Sequence, residues 1–563
     1  MKTGRWGLLS AVIVVALLIS AVAGCGTPAP PPAATEAPTT APTEPTATPA
    51  PPEPTPTTGP TVGGTLVITL DEDPESLDPH KTAMASPDWI LSWVGGSLAI
   101  RDAAGDFVPY LAEGWEISED GLTWDFTLKE GIKFHDGTPL TAQDYAWTLE
   151  RSLLEENKTG GTGALLGMIS EVEAVDDRTL RITTAAPSYG LLIGLAEPGW
   201  GLPMSQAYVE DVLDGDFGKH PMSVGPYIFK EAQVGEKVVL ERNPEFNWGP
   251  DFGHEGPWYI ENVEFRIILD YSTAIAGLEA GEILYSYDSM QDAKDVERLR
   301  ESGEFQILEG FYQGTIPWGI LHVTKPPFDE LGVRQAFNLA TDKQTLIDVV
   351  ELGQAVPQAG PLSVSQIGYW PGIEELGYDY DLEQARALME DAGYSYNDAG
   401  MLEKDGEPLR LSLIALVGPR HEKTAQILKE QWKDLGAEVE IQMLEDSAFL
   451  GKALEGDFSV GLFAVTYTDV DILWLLFHST SGFNFSKLND PKLDELLAPI
   501  RGTLDPDERN EAAAELQKYI VDQAYWAFMF NPKSFYPLSN RVRDAVWSPM
   551  SSLAYFNDAY IVE

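Results

Sequence analysis

The sequence predicts a mixed α/β protein of at least two lobes, set behind an N-terminal leader and a long spacer. Three observations carry that prediction. Alternating apolar runs around turn residues recur between 115 and 242 and read as antiparallel hairpins. Between 409 and 465, strand-like and helix-like periods alternate, the signature of parallel β-α-β units. Past the spacer, about 500 residues remain, more than a single core usually holds.

The leader comes first. Lys2 and Arg5 precede Leu8 to Ala23, sixteen residues that are apolar except for two serines. That run is shorter than the roughly 20 residues of a spanning helix and ends in small residues, so it reads as an export signal, residues 1–24. Cys25 follows in "ISAVAGCGTPAPPP" and is the only cysteine of the chain. A disulfide within the chain is thereby impossible, and a zinc or iron–sulfur site needs more thiolates. Val22-Ala23-Gly24-Cys25 resembles the lipobox of bacterial lipoproteins, in which cleavage leaves the cysteine as the first mature residue, to be acylated. The competing reading, an uncleaved membrane anchor, also puts the body outside the cytoplasm.

Residues 25–61 form the spacer. Gly26 to Pro60 holds 13 prolines in 35 residues, with Ala and Thr filling most of the rest. Proline removes backbone donors and too little apolar surface remains to bury, so neither helix nor sheet is expected. The full chain carries a net charge of −51, and removing residues 1–24 makes it two units more negative. That balance opposes nucleic acid and anionic lipid as partners, since both need basic patches. It leaves the lipid anchor as the only expected contact with the membrane.

The body opens with the strand-like "GGTLVITL" (63–70). Hairpins are expected at 115–128, around Glu119-Asp120-Gly121, and at 171–184 and 227–242. "LRLSLIALV" (409–417) reads as a buried strand. Ala425, Leu428, Trp432 and Leu435 recur at threes and fours, one face of a helix that Gly436 can end. Val439, Ile441 and Met443 alternate in the next strand. A helix at 447–456 and a strand at 458–465 make a second unit, and helices are expected at 333–353, 381–393 and 505–524.

Catalytic motifs are scarce. There is no G-x-S-x-G, H-E-x-x-H or P-loop. "GGTGALLG" (160–167) has the wrong spacing for a dinucleotide loop, and "FHDG" (134–137) reads as a turn. The seven histidines are scattered without metal-ligand spacing. No catalytic residue, metal site or cofactor is expected.

Several blocks carry a family resemblance: "GGTLVITLDEDPESLDP", "LTWDFTLKEGIKFHDGTPLTAQDYAW", "SVGPYIFKEAQVGEKVVLERNPEFN", "KPPFDELGVRQAFNLATDKQTLI", "YDLEQARALMEDAGY" and "NDPKLDELLAPIRGTLDPDERNEAAAELQKYIV". In this order they resemble the family 5 extracellular solute-binding proteins of bacterial ABC importers, over roughly residues 62–563. The resemblance implies a type II-like periplasmic-binding-protein fold: two α/β lobes with a hinge, plus a hairpin-rich subdomain. Lobe I would comprise 62–99, 223–315 and 526–563, the subdomain 100–222 would pack on it, and lobe II would be 316–525. It further implies a monomeric, non-enzymatic receptor that closes on a solute and docks on permease subunits coupled to a cytoplasmic ATPase.

The ligand is harder to read. Peptide-binding relatives hold the ligand's α-amine with an aspartate that opens a motif matched here by "TYTDVDILWLLFHS" (466–479). Thr466 occupies the amine position, so affinity is expected to depend little on a free N-terminus. Tyr467, Asp469 and Asp471 follow as candidate ligand contacts, and helix capping is the alternative role for the two acids. Arg420 lies near the place of a carboxylate-binding arginine. Trp89, Trp93, Trp318, Trp370 and Trp474 fall in segments that border the cleft in relatives, which would suit a sugar, although core packing is the commoner fate of tryptophan. Nickel–chelate binding would rest on His478 alone. A peptide or peptide-like solute is expected, with an oligosaccharide or chelate as alternatives and a secreted hydrolase as the alternative of another class.

Overall fold

The computed structural model describes residues 59–562, apart from 83, 158, 159, 291, 313, 466 and 549–552; side chains at 164, 315–318, 446 and 447 are also outside the description. The leader, Cys25, nearly all of the spacer and Thr466 therefore lie outside the described residues. Three sheets organise the body. The largest runs Phe305–Phe311, Phe530–Ser539, Tyr285–Ser286, Thr65–Leu70, Asn262–Ile267, Lys237–Arg242 and Tyr227–Gln233, with Ala355–Pro357 added beside Phe530–Ser539. Thr65–Leu70 sits in its middle, parallel to Asn262–Ile267 on one side and Tyr285–Ser286 on the other. A strand flanked on both edges by parallel partners is normally apolar on both faces. Leu66, Ile68 and Leu70 are indeed buried, against Trp93, Phe265 and Tyr285.

The second sheet runs Glu438–Leu444, Arg410–Leu416, Val460–Val465, Thr315–Leu321 and Trp526–Ala527. Arg410–Leu416 is parallel to both of its neighbours, as two successive β-α-β units require. Its two faces feed two cores. Leu411 and Leu413 pack with Trp432 and Phe337, while Ile414 packs with Phe449, Phe477 and Trp526. The helix Pro419–Leu435 buries Ala425, Leu428, Trp432 and Leu435, and Gly436 ends it in the left-handed region at φ 107°. The expected helix at 333–353 is instead two, Leu331–Leu339 and Lys343–Val350. The Asp342 side chain accepts the backbone N–H groups of Gln344 and Thr345, starting a new helix inside an unbroken apolar stripe.

The third sheet, Ala112–Ile117, Thr123–Leu128, Thr179–Thr184 and Ile169–Ala174, is antiparallel throughout and holds two of the expected hairpins. Its core joins Trp124 and Phe126 to Tyr145 and Leu149 of the helix Ala142–Ser152. The "FHDG" stretch is a turn, with Gly137 N–H donating to the Phe134 carbonyl at 2.9 Å. The chain passes from the first sheet to the second between Phe311 and Thr315 and returns between Ala527 and Phe530. The fold is thus two α/β lobes and a hairpin-rich subdomain.

Candidate functional site

The helix Ala85–Val94 starts at a fixed point, because the Glu72 carboxylate accepts the backbone N–H of Ser86 at 2.8 Å. Its residues divide by helical spacing. Ile90, Leu91 and Val94 enter the core, while Ala85, Asp88, Trp89, Ser92 and Trp93 border a cavity of about 600 Å³. Behind the helix the packing is backbone to backbone: a Cβ on Gly225 would lie 2.4 Å from the Gly95 carbonyl oxygen. The helix therefore has no room to shift on that side.

Aromatic rings make much of the cavity wall. Trp89 stacks on Tyr287 with centroids 4.8 Å apart and planes 7° from parallel. The Trp93 indole N–H donates to the Tyr287 hydroxyl at 3.2 Å, and the ring meets Trp258 edge-on at 5.7 Å. Trp200 is pressed onto Gly161, where a Cβ would come within 2.5 Å of the indole. Tyr555 and Phe556 close the wall from the C-terminal segment, and Tyr467 and Thr468 reach it from the loop after Val460–Val465. That loop is tied down by the Gln366 amide, which donates to the Tyr467 carbonyl at 2.7 Å, and by Ile367 N–H on the Thr468 carbonyl at 2.8 Å.

Among the described residues, three charged side chains border the cavity: Asp88, Arg101 and Glu197. Arg101 and Glu197 pair at 2.9 Å. Asp88 is left over. Its Oδ1 is closed off from solvent and has no hydrogen-bond partner, an omission that costs about 1–3 kcal/mol. Burial, and then the negative charge of Glu197, hold the Asp88 carboxyl well above the usual carboxylate range, against the opposing pull of the Trp200 backbone N–H and Arg101. Gly199 lies directly over it, and a Cβ there would meet Oδ1 at 2.2 Å.

Of the residues singled out from sequence, Trp89, Trp93 and Tyr467 come together at this cavity. Others lie elsewhere. Asp469 is fully buried and bidentate with Arg509, at 2.5 and 2.9 Å. Asp471 is bidentate with Arg501, at 2.6 and 2.9 Å, and the Arg501 guanidinium lies 3.8 Å from the Trp474 ring centroid. Neither acid makes a side-chain cap for the helix Ile472–Phe477. Arg420 pairs with Glu351 at 2.6 Å. Trp370 opens the short helix Pro371–Glu375, its ring against Gly372. Trp318 sits opposite Phe463 in the second sheet; its side chain, like Thr466, is outside the description. Trp474 stacks on His478 at 4.6 Å, and among the described residues no three His, Cys, Asp or Glu side chains converge as a metal site.

Asp88, Arg101, Glu197, Trp200, Trp258 and Tyr287 were not visible as site residues in the sequence. The one usable signal was helical spacing, since Asp88 and Ser92 share the face of Trp89 and Trp93.

A family model describing bacterial extracellular solute-binding proteins, family 5 (middle region), matches residues 106–486. The chain belongs to this family. As a family 5 protein it is the substrate-binding component of an ABC importer. It is similar to heme-binding protein A of Haemophilus influenzae, 27% identical over 490 residues, covering 81% of this chain and 84% of that one. It is also similar to the dipeptide-binding protein of Escherichia coli, 26% identical over 531 residues, covering 88% and 94%. The structure of HbpA2 from Haemophilus parasuis matches with a TM-score of 0.78 at 26% identity, covering 89% of this chain and all of that one. Among the described residues, no helix of this family 5 protein is long and apolar enough to cross a membrane.

Proposed function

We propose that this family 5 protein is a lipid-anchored receptor that captures a peptide or peptide-like solute and delivers it to its permease. The observation that carries the reading is the aromatic cavity, which takes residues from the helix Ala85–Val94, the hairpin-rich region, the C-terminal segment and the loop of Tyr467. A volume of about 600 Å³ lies within the range of small-molecule pockets. Trp89, Trp93 and Tyr467 are the sequence candidates that would touch the solute. Lobe I (62–99, 223–315 and 526–563) with the subdomain 100–222 would form one jaw, and lobe II (316–525) the other. Cys25 would carry the anchor, with residues 25–61 as the leash. The dipeptide-binding relative supports a peptide. The flat faces of Trp89 and Tyr287 favour, as a second reading, an oligosaccharide or another flat ring system.

Thermal-shift screening of peptides, oligosaccharides, hemin and metal chelates tests this. A ligand at a hundredfold excess over its Kd stabilises by about 2.7 kcal/mol. A hit should be bound stoichiometrically and returned unchanged. Sustained turnover, or no response to any small molecule, would end the receptor reading. Mass spectrometry of the exported chain should find an acylated Cys25 as its first residue; an unmodified thiol there removes the anchor.

A further inference from the structure

We infer that the corner between the helices Pro491–Gly502 and Pro506–Asp522 is a latch: it seats on the hairpin-rich subdomain through Leu504 and Tyr189 and holds the cavity shut by protein contacts alone. This goes beyond the receptor reading, because it concerns closure whatever the solute is. The corner is firmly built. The Asp505 carboxylate accepts the backbone N–H groups of Asp507 and Glu508, each at 3.0 Å, and the Arg509 Nε–H donates to the Ile500 carbonyl at 2.8 Å. Leu504, at the tip, packs against the core of the third sheet, the cluster of Trp124 and Phe126. Gly121, in the facing hairpin turn, leaves the room: a Cβ there would lie 2.9 Å from Leu504 Cδ1 and 3.2 Å from Pro187.

Tyr189 is the other half of the latch. Its ring lies 4.3 Å from the Arg509 guanidinium, and its backbone N–H donates to the Arg501 carbonyl at 3.4 Å. These are the two arginines that grip Asp469 and Asp471, the acids that follow Tyr467 and Thr468 in the loop at the cavity. One subdomain residue thus touches both supports of that loop, so seating the latch also sets Tyr467 and Thr468 against the cavity wall. Leu504 and Tyr189 themselves lie outside the cavity lining. Parting the jaws would return both side chains to water. Covering them stabilises the shut form without any solute contact, and a solute then has to supply only the remainder.

The test uses the purified full chain with no solute added, so the latch can fail while the receptor reading stands. Amide hydrogen exchange followed by mass spectrometry reads the Tyr189 N–H, whose acceptor belongs to the other jaw. Leu504→Asp should speed exchange in the peptide carrying Tyr189 by about 10- to 100-fold, the factor that matches loss of one buried leucine. The strands Thr123–Leu128 and Thr179–Thr184 should keep their rates, and small-angle X-ray scattering should show a larger radius of gyration. Leu504→Met, which keeps the volume and the apolar surface, should return both readings to those of the unaltered protein. If Leu504→Asp does not fold, the unaltered protein gives the answer: Tyr189 should exchange through an opening that leaves those two strands protected. Unchanged exchange at Tyr189, faster exchange spread through the third sheet, or faster exchange with unchanged scattering overturns the latch. So does a Tyr189 amide that, in the unaltered protein, exchanges only together with the third sheet.

Discussion

Arg509 grips Asp469 through both carboxylate oxygens, at 2.9 and 2.5 Å, in the interior of the second lobe. The same guanidinium lies 4.3 Å from the ring centroid of Tyr189, a residue of the hairpin-rich region. One buried ion pair thus fixes the loop that carries Tyr467 and Thr468 and also meets the facing subdomain. The two side chains are 3% and 0% exposed, so the charges are screened from water and depend on each other.

Asp469→Asn or Arg509→Met should each destabilise by about 3–5 kcal/mol, because each strands a buried charge. The double variant should cost much less than the sum. Urea denaturation of the four proteins gives the coupling energy, and single losses below about 1 kcal/mol would show that the pair is dispensable.

Acid stability should depend on His80. Burial first, and then the Arg151 charge, lower its pKa to about 3, and Arg151 donates to its Nδ1 at 2.6 Å. Between about 6.5 and about 3 the unfolded chain binds a proton that the folded one refuses, so stability falls as the pH drops through that window. The slope contributed is up to about 1.4 kcal/mol per pH unit. Burial likewise lowers His135, to about 4, and its contribution has the same sign. His80→Gln should flatten the profile below pH ~6.5 relative to the unaltered protein; an unchanged profile contradicts the assignment.

Asp288 should act in the opposite direction. Burial, and then the charge of Asp71, raise its pKa well above the usual carboxylate range. The folded chain then holds a proton that the unfolded chain has lost, so stability falls as the pH rises above about 4. Asp288→Asn should gain stability relative to the unaltered protein as the pH rises from about 5 to about 9. A difference independent of pH would mean that Asp288 is ionised throughout. Since Tyr287 adjoins it and stacks on Trp89, tryptophan fluorescence should follow the same titration.

Gly225→Ala should cost about 1–3 kcal/mol, because the new methyl meets the backbone of Val94 and Gly95. It should also weaken solute binding by displacing the helix that carries Asp88 and Trp89. Gly332→Ala is the control: nothing lies within 4 Å of its Cβ, and the change should be neutral or slightly stabilising. Equal effects at the two positions would refute the packing argument.

Short-range patterns made much of the fold legible. The hairpins at 115–128, 171–184 and 227–242 and the β-α-β order from 409 onward follow from periodicity and turn residues, which depend on neighbours in the chain. The break before Lys343 was hidden because the apolar stripe runs through Phe337, Leu346 and Val350 without interruption, and only the Asp342 cap separates the two helices. The cavity was legible only in part. Trp89 and Trp93 were conspicuous by residue type, but Asp88 is one acid among 88 Asp and Glu residues and gains its distinction from Glu197 and Gly199, about 110 residues away. Asp469 and Asp471 looked available because the arginines that hold them come 40 and 30 residues later.

The first sheet is threaded from both ends of the chain. Tyr285–Ser286 and Phe305–Phe311 each take Phe530–Ser539 as a partner, and Trp526–Ala527 completes the edge of the second sheet. A chain synthesised from its N-terminus therefore cannot close either sheet until its last forty or so residues have been made, and such distant pairings form slowly. The third sheet, built only from residues between 112 and 184, is under no such constraint. A C-terminal truncation would leave the other two sheets unfinished with open edges, the form most exposed to proteolysis and strand-to-strand aggregation.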